Sequence, residues 1–228
     1  MAGSKHVPES AALFRPDCKD CPRLAQWRSA ELAARYPGYH NDPVPSFGPE
    51  DAALLIVGLA PGLHGANRTG RPFTGDHAGI LLYGTLHELG FASGPGSADP
   101  DDGLQLIGCR ITNAVKCVPP QNKPVPSEVR QCNGYLAAEI AHVKPRAILA
   151  LGRVAHDAVL MALKLPARDH RFAHHAVHRL KGGVLLFDSY HCSRYNTQTR
   201  RLTPAMFRAV LADIASHLRG EGAAGAPV

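Results

Sequence analysis

Hydrophobic positions along the chain fall into two alternating patterns. The unbroken apolar run at 52–58 (AALLIVG) reads as a strand buried on both faces, as in parallel sheets covered by helices, and 106–115 (LIGCRITNAV), 146–151 (RAILAL) and 184–188 (VLLFD) read as three further strands. Between and around them, 23–36, 78–89, 126–143, 153–163 and a last segment from Pro204 to about 218 carry helix formers or apolar residues at helical spacing. Pro22, Pro126 and Pro204 suit a first helical turn, Ser127 suits an N-cap, and Gly90 suits a stop. Strands and helices therefore alternate. That order predicts a three-layer α/β/α sandwich around a central, mostly parallel four-stranded sheet. Residues 1–228 are expected to form one domain, with 1–12 and 220–228 as flexible ends.

Parallel βαβ units carry their functional loops at the carboxyl ends of the strands. Three polar loops follow strands here, at 59–77, 117–125 and 189–203, so they are expected to build one site. Residues 58–76 read GLAPGLHGANRTGRPFTGD. The backbone at Gly58, Ala60 and Gly62 can approach a ligand closely, and Arg68 and Arg71 suit phosphate contacts. Phe73 lies in a polar loop, where a ring can stack on a base for roughly 1–3 kcal/mol. The loop lacks the Gly-Lys-Ser/Thr ending of a Walker motif. Asn113, in TNAVKC, offers an acceptor and a pair of donors, which matches the edge of uracil. In SYHCSRYNTQT, His191 follows a buried strand and can reach a reacting group, while Ser193 and Asn196 can hold phosphates. His174, His175 and His178 read as basic surface rather than a metal site, because no carboxylate or cysteine is regularly spaced with them.

Composition narrows the partners. A formal net charge of +6 favours a polyanion, and nucleic acid is the commonest. No apolar run is long enough to span a bilayer, and residues 1–10 lack the apolar core of a signal peptide. A cytoplasmic monomer without a membrane partner is expected. Six cysteines, at 18, 21, 109, 117, 132 and 192, then argue against a disulfide framework, and Cys18 and Cys21 have the C-x-x-C spacing of a ligand or redox pair.

GLAPGLHGANRTGRPFTGD, TNAVKC and SYHCSRYNTQTRRLT resemble the motifs of the family 5 (B-type) uracil-DNA glycosylases, of the iron–sulfur uracil-DNA glycosylase superfamily. The resemblance runs from Cys18 to about Thr203. It implies the α/β/α glycosylase fold, a [4Fe–4S] cluster, and hydrolytic excision of uracil, hypoxanthine or etheno-cytosine from single- or double-stranded DNA. An abasic site is left for base-excision repair. Carried onto this chain, Cys18 and Cys21 supply a local pair of cluster ligands and Cys117 and Cys132 a remote pair. Four thiolates suit structural zinc equally well, and it is the resemblance that selects iron–sulfur. Cys109 reads as a small buried hydrophobe, and Cys192 is outside the ligand set.

In the implied mechanism Phe73 stacks on a base flipped from the duplex, Asn113 bonds its pairing edge, and His191 donates to the base oxygen as charge develops. The chain departs from the wider superfamily at Leu59, where related families carry Asp, Glu or Asn. Asp76, the only acid of the first loop, takes the water-activating role in this reading, with Asn122 positioning water or sugar. Asp76 equally suits an N-cap of the helix that follows. Two other classes fit the sequence less well. A non-enzymatic iron–sulfur or zinc DNA-binding module explains the cysteines and charge, but not Phe73, Asn113 and His191 on three strand-end loops. An electron carrier of the ferredoxin kind has compact cysteine runs, unlike this chain.

Overall fold

The four expected strands become β1 (Leu54–Gly58), β2 (Cys109–Asn113), β3 (Ala147–Leu151) and β5 (Leu185–Ser189), with a short strand β4 (Val177–Arg179) inserted before the last. The computed structural model describes residues 13–220, so the ends expected to be flexible lie outside the described residues, apart from Gly220, which closes the final helix in a left-handed conformation. The sheet order is β2-β1-β3-β5-β4, parallel except for β4. The sheet thus has five strands rather than four. β4 was hidden in the His-rich stretch because it is three residues long and partly solvated, as edge strands often are.

Alternation along each strand sends side chains to two cores. Leu54, Ile56, Leu149 and Phe187 pack under α4 (His77–Glu88) and α8 (Pro204–Arg219). Leu55, Val57, Ile148 and Leu186 pack under α5 (Pro126–Val143) and α6 (Arg153–Ala162). This is the expected three-layer arrangement. The helix expected over 23–36 is broken in character: α1 (Pro22–Gln26) widens through Trp27–Leu32 before α2 (Ala33–Arg35). Arg28, within the widened turns, is buried and donates to the carbonyls of Cys18 and Asn41 and to Asp42. The cap of α5 also differs from expectation. Val125, not Ser127, holds the N-cap position, and Glu128 reaches back to the Val125 N–H at 2.9 Å while pairing with Arg23.

Register decides where the loops meet. Gly58 pairs with Asn113, and Leu151 pairs with Ser189, so β1, β2, β3 and β5 end together at one sheet edge. The chain leaves β1 for β2 on one side and crosses to β3 on the other, which makes this edge a topological switch point.

Candidate active site

A cavity of about 720 Å³ opens at that edge, within the size range of ligand sites. Ala60, Gly62, Phe73, Asp76, Asn113, Asn122, His191, Ser193 and Asn196 all line it. Three expected residues, Gly58, Arg68 and Arg71, do not. Gly58 lies beneath the floor, where a Cβ would collide with Asn113 Oδ1 and the Phe73 ring, so glycine is what allows these two side chains to close over β1. Arg68, in the short helix α3 (Ala66–Thr69), is turned away to the carbonyls of His64 and Ala98, at 3.0 and 3.2 Å. Arg71 is likewise a structural clamp: it is buried and bonds Thr74, Ser97, Asp102 and the carbonyls of Asp99 and Pro100.

Phe73 is buried with φ +56°, a left-handed conformation costly for a bulky residue, and it is held by the loop between α3 and α4. Its ring lies 6.1 Å from that of His191, at 26° between planes. Beside them Asn113 is buried, and its Oδ1 has no hydrogen-bond partner. A buried amide oxygen left unpaired costs about 1–3 kcal/mol, which a ligand N–H would recover. Burial pushes the His191 imidazole down to about 4, so the ring is neutral at physiological pH and can donate one N–H. Its backbone is fixed on two sides. Asn196 Nδ2 donates to the His191 carbonyl at 2.8 Å, and Gly152, at φ +94°, lets the His191 Cβ pack directly over the start of α6.

Asp76 plays two parts. Its Oδ1 accepts the Gly79 N–H at 2.7 Å as the N-cap of α4, while its carboxylate lines the cavity. Burial raises its pKa, against the lowering effect of the Gly79 and Ala78 N–H groups. Ser193 is also a cap, accepting from Asn196 N–H at the start of α7 (Arg194–Gln198). Asn122 sits at φ +57° in the loop after β2 and is exposed at the mouth. The sequence reading missed Lys123, Arg153, Arg194 and Arg201, which ring the cavity, and the aromatic residues Phe172, Tyr190 and Tyr195. Tyr190, Arg194, Tyr195 and Arg201 stand within SYHCSRYNTQTRRLT without a role assigned there, whereas Lys123, Arg153 and Phe172 lie outside the recognisable motifs.

The four cysteines expected to act together do converge. Cys18 and Cys21 precede α1, Cys117 follows β2 and Cys132 lies in α5, yet all line one chamber with Leu24, Val115 and Tyr135. Lys116 N–H donates to Cys132 Sγ at 3.3 Å, and the Tyr135 hydroxyl to Cys18 Sγ at 3.5 Å. Burial and the neighbouring thiols raise Cys21 to about 11; burial and the other three raise Cys117 to about 12. Such a set of sulfur donors becomes favourable as thiolates beside a cationic centre, which is the chemistry of iron–sulfur clusters and of structural zinc. Cys109 and Cys192 are fully buried and line neither this chamber nor the cavity.

Among the described residues no helix is long and apolar enough to cross a membrane. The model of the uracil DNA glycosylase superfamily matches residues 45–215. A type-5 uracil-DNA glycosylase of Thermus thermophilus is 48% identical over 199 residues, covering 85% of this chain and 90% of the relative. One from Mycobacterium leprae is 44% identical over 219 residues, 92% and 95% of the two chains. A type-4 enzyme of Archaeoglobus fulgidus is 37% identical across about half of each chain. With the match spanning both cavity loops that carry Phe73 and His191, the chain belongs to the uracil DNA glycosylase superfamily and to its type-5 branch.

Proposed function

We propose that the protein is a monofunctional DNA glycosylase that flips uracil out of DNA and hydrolyses its glycosidic bond, leaving an abasic site for base-excision repair. The observation that carries this reading is Asn113, buried with an unpartnered Oδ1 in the cavity that Phe73 and a neutral His191 also line. Uracil supplies an N–H to that oxygen and a carbonyl to the Asn113 amide, while its face lies on Phe73. As the C–N bond breaks, negative charge grows on the base oxygen. A neutral His191 keeps one N–H and donates it there. Asp76 activates the attacking water, with Asn122 positioning water or sugar. Lys123, Arg153, Arg194 and Arg201 offer the phosphates their charge around the mouth. Ser193 and Asn196 hold phosphates in this reading and also support the His191 loop, through the α7 cap and the His191 carbonyl.

A cavity of this size, closed by stacking and few side-chain hydrogen bonds, also admits hypoxanthine and etheno-cytosine. Cys18, Cys21, Cys117 and Cys132 hold a [4Fe–4S] cluster in the same reading. When bound it ties the N-terminal segment and α5 to the loop that follows β2, and thereby supports the Asn122 side of the cavity. A cytoplasmic monomer belongs to the same reading. Incubation with a uracil-containing oligonucleotide followed by alkali should break the strand at uracil; intact strands with cluster-loaded protein would leave only a DNA-binding module.

A further inference from the structure

His156 is almost fully buried one turn into α6, and both of its ring nitrogens face acceptors. Nδ1 lies 2.8 Å from Asp188 Oδ1, and Nε2 lies 2.8 Å from the carbonyl oxygen of His170. A neutral imidazole can donate through one nitrogen only. Two donations need the doubly protonated ring, whose charge the buried Asp188 carboxylate balances. Asp188 also receives His178 Nε2 at 3.0 Å, from β4.

These contacts converge on the segment 166–176, which bridges from α6 to β4. Its His170 carbonyl is held by His156, and its His175 N–H donates to the Asp188 carbonyl at 2.8 Å. The same segment carries Phe172, a wall of the cavity, whose ring stands edge-on to His156. It also carries His174, stacked on Tyr190 beside His191 and accepting the Tyr190 N–H at 3.2 Å.

We infer that doubly protonated His156 and Asp188 form a clasp that locks segment 166–176, and with it the Phe172 wall, against the cavity, so that His156 is a positioning residue for substrate binding rather than for bond cleavage. The substrate in this inference rests on the glycosylase reading; the protonation does not. The groups facing His156 are Asp188 on β5, His178 on β4, His170 on the segment itself and Asp157 on α6. The carboxylates favour its charged form; a second cation at His178 or His170 would oppose it. When His156 loses a proton, one of the two acceptors is left without a donor, and the segment is released.

The test is the imidazole nitrogen NMR spectrum of the cluster-loaded protein, taken with cleavage kinetics on a uracil oligonucleotide. One ring should remain doubly protonated above pH 7, and its signal should be missing in His156→Gln. At pH 7, His156→Gln should raise KM about 10-fold while saturated single-turnover cleavage stays within about 2-fold of wild type. Wild-type KM should climb on the alkaline side, and the variant's should not. Phe172→Ala should reproduce the KM rise, which keeps the test intact if His156→Gln folds poorly. A neutral His156 at pH 7 would overturn the inference, as would a loss confined to kcat or an unchanged KM in Phe172→Ala. Stoichiometric zinc lost with His156→Gln would also overturn it, since a metal would then replace the proton. Absence of any wild-type cleavage would instead sink the glycosylase reading and leave the protonation result standing.

Discussion

Asp76 Oδ1 accepts the Gly79 N–H at 2.7 Å, so the carboxylate proposed to activate water is also the cap of α4. The two roles separate by substitution. Asparagine keeps a capping oxygen but cannot take a proton; alanine loses both. Asp76→Asn should therefore hold its melting temperature near wild type while single-turnover cleavage falls about 10²-fold. Asp76→Ala should lose about 1 kcal/mol of stability as well. Unchanged cleavage in Asp76→Asn would reduce the residue to its cap. Because burial raises the Asp76 pKa, the acid limb of the cleavage profile should fall above the ordinary carboxylate range.

His191 is held neutral by burial, with a pKa near 4. Removing its N–H from the developing oxyanion should cost about 10²-fold or more in the chemical step. Cleavage should show no bend near pH 6.5, where an ordinary histidine titrates. The stability effect has a definite sign. The unfolded ring takes up a proton below about 6.5 and the folded one only near 4, so the folded state loses stability as pH falls through that window. Urea denaturation of wild type and His191→Ala across pH 4–7 checks it: the wild type should lose more than the variant as pH drops.

Gly58 is the floor on which Asn113 and Phe73 meet. A methyl group there would overlap Asn113 Oδ1 and the Phe73 ring, both packed and with little room to move. Gly58→Ala should raise KM for uracil DNA about 10-fold or more through displaced recognition groups, as judged by steady-state kinetics against Asn113→Ala. A Gly58→Ala protein with wild-type KM would show that Asn113 does not read the base edge.

What the sequence disclosed follows from how far each signal reaches. Continuous apolar runs at 52–58 and 147–151 located β1 and β3, because a strand covered on both faces can be apolar throughout, whereas β2 and β5 were legible despite Arg110, Thr112, Asn113 and Asp188. β4 escaped, since three partly solvated residues carry no period. Motif residues Phe73, Asn113 and His191 come together because the register Gly58–Asn113 and Leu151–Ser189 aligns the strand ends. Arg68 and Arg71 show the opposite case. Both looked suited to phosphate, but whether an arginine faces solvent or clamps a loop depends on residues 97–102, distant in sequence. The His156–Asp188 pair, 32 positions apart, had no local signature at all.

Cys117 lines the chamber with three other thiols, next to Lys116 in the chain. Cys117→Ser replaces a soft thiolate with a poor ligand. Loss of the brown colour and of folded yield together is expected, read by visible absorbance and soluble expression. A colourless wild type with full cleavage activity would remove the cluster from the reading.

Glu139 on α5 joins that helix to β2 in a buried network. Its Oε1 accepts Arg110 Nε at 2.8 Å; its Oε2 accepts the Thr112 hydroxyl at 2.8 Å and Lys116 Nζ at 3.1 Å. Lys116 is itself buried and also donates to Ser46 and Thr112, and among the described residues this carboxylate is its one ionic partner. Burial works against the charged carboxylate, but Lys116 and the hydrogen bonds prevail and hold Glu139 down to about 2. Breaking one member of such a group strands a buried charge, which costs about 3–5 kcal/mol. Glu139→Gln should lose that much at pH 7. The folded pKa lies below the unfolded one, so the stabilisation is present above about pH 4.5 and is lost as pH falls toward 2. The gap between wild type and Glu139→Gln in denaturant unfolding should therefore be widest at neutral pH and narrow steadily below pH 4.5. A gap that stays constant with pH would mean that shape and hydrogen bonding, not the charge of Glu139, hold α5 against β2.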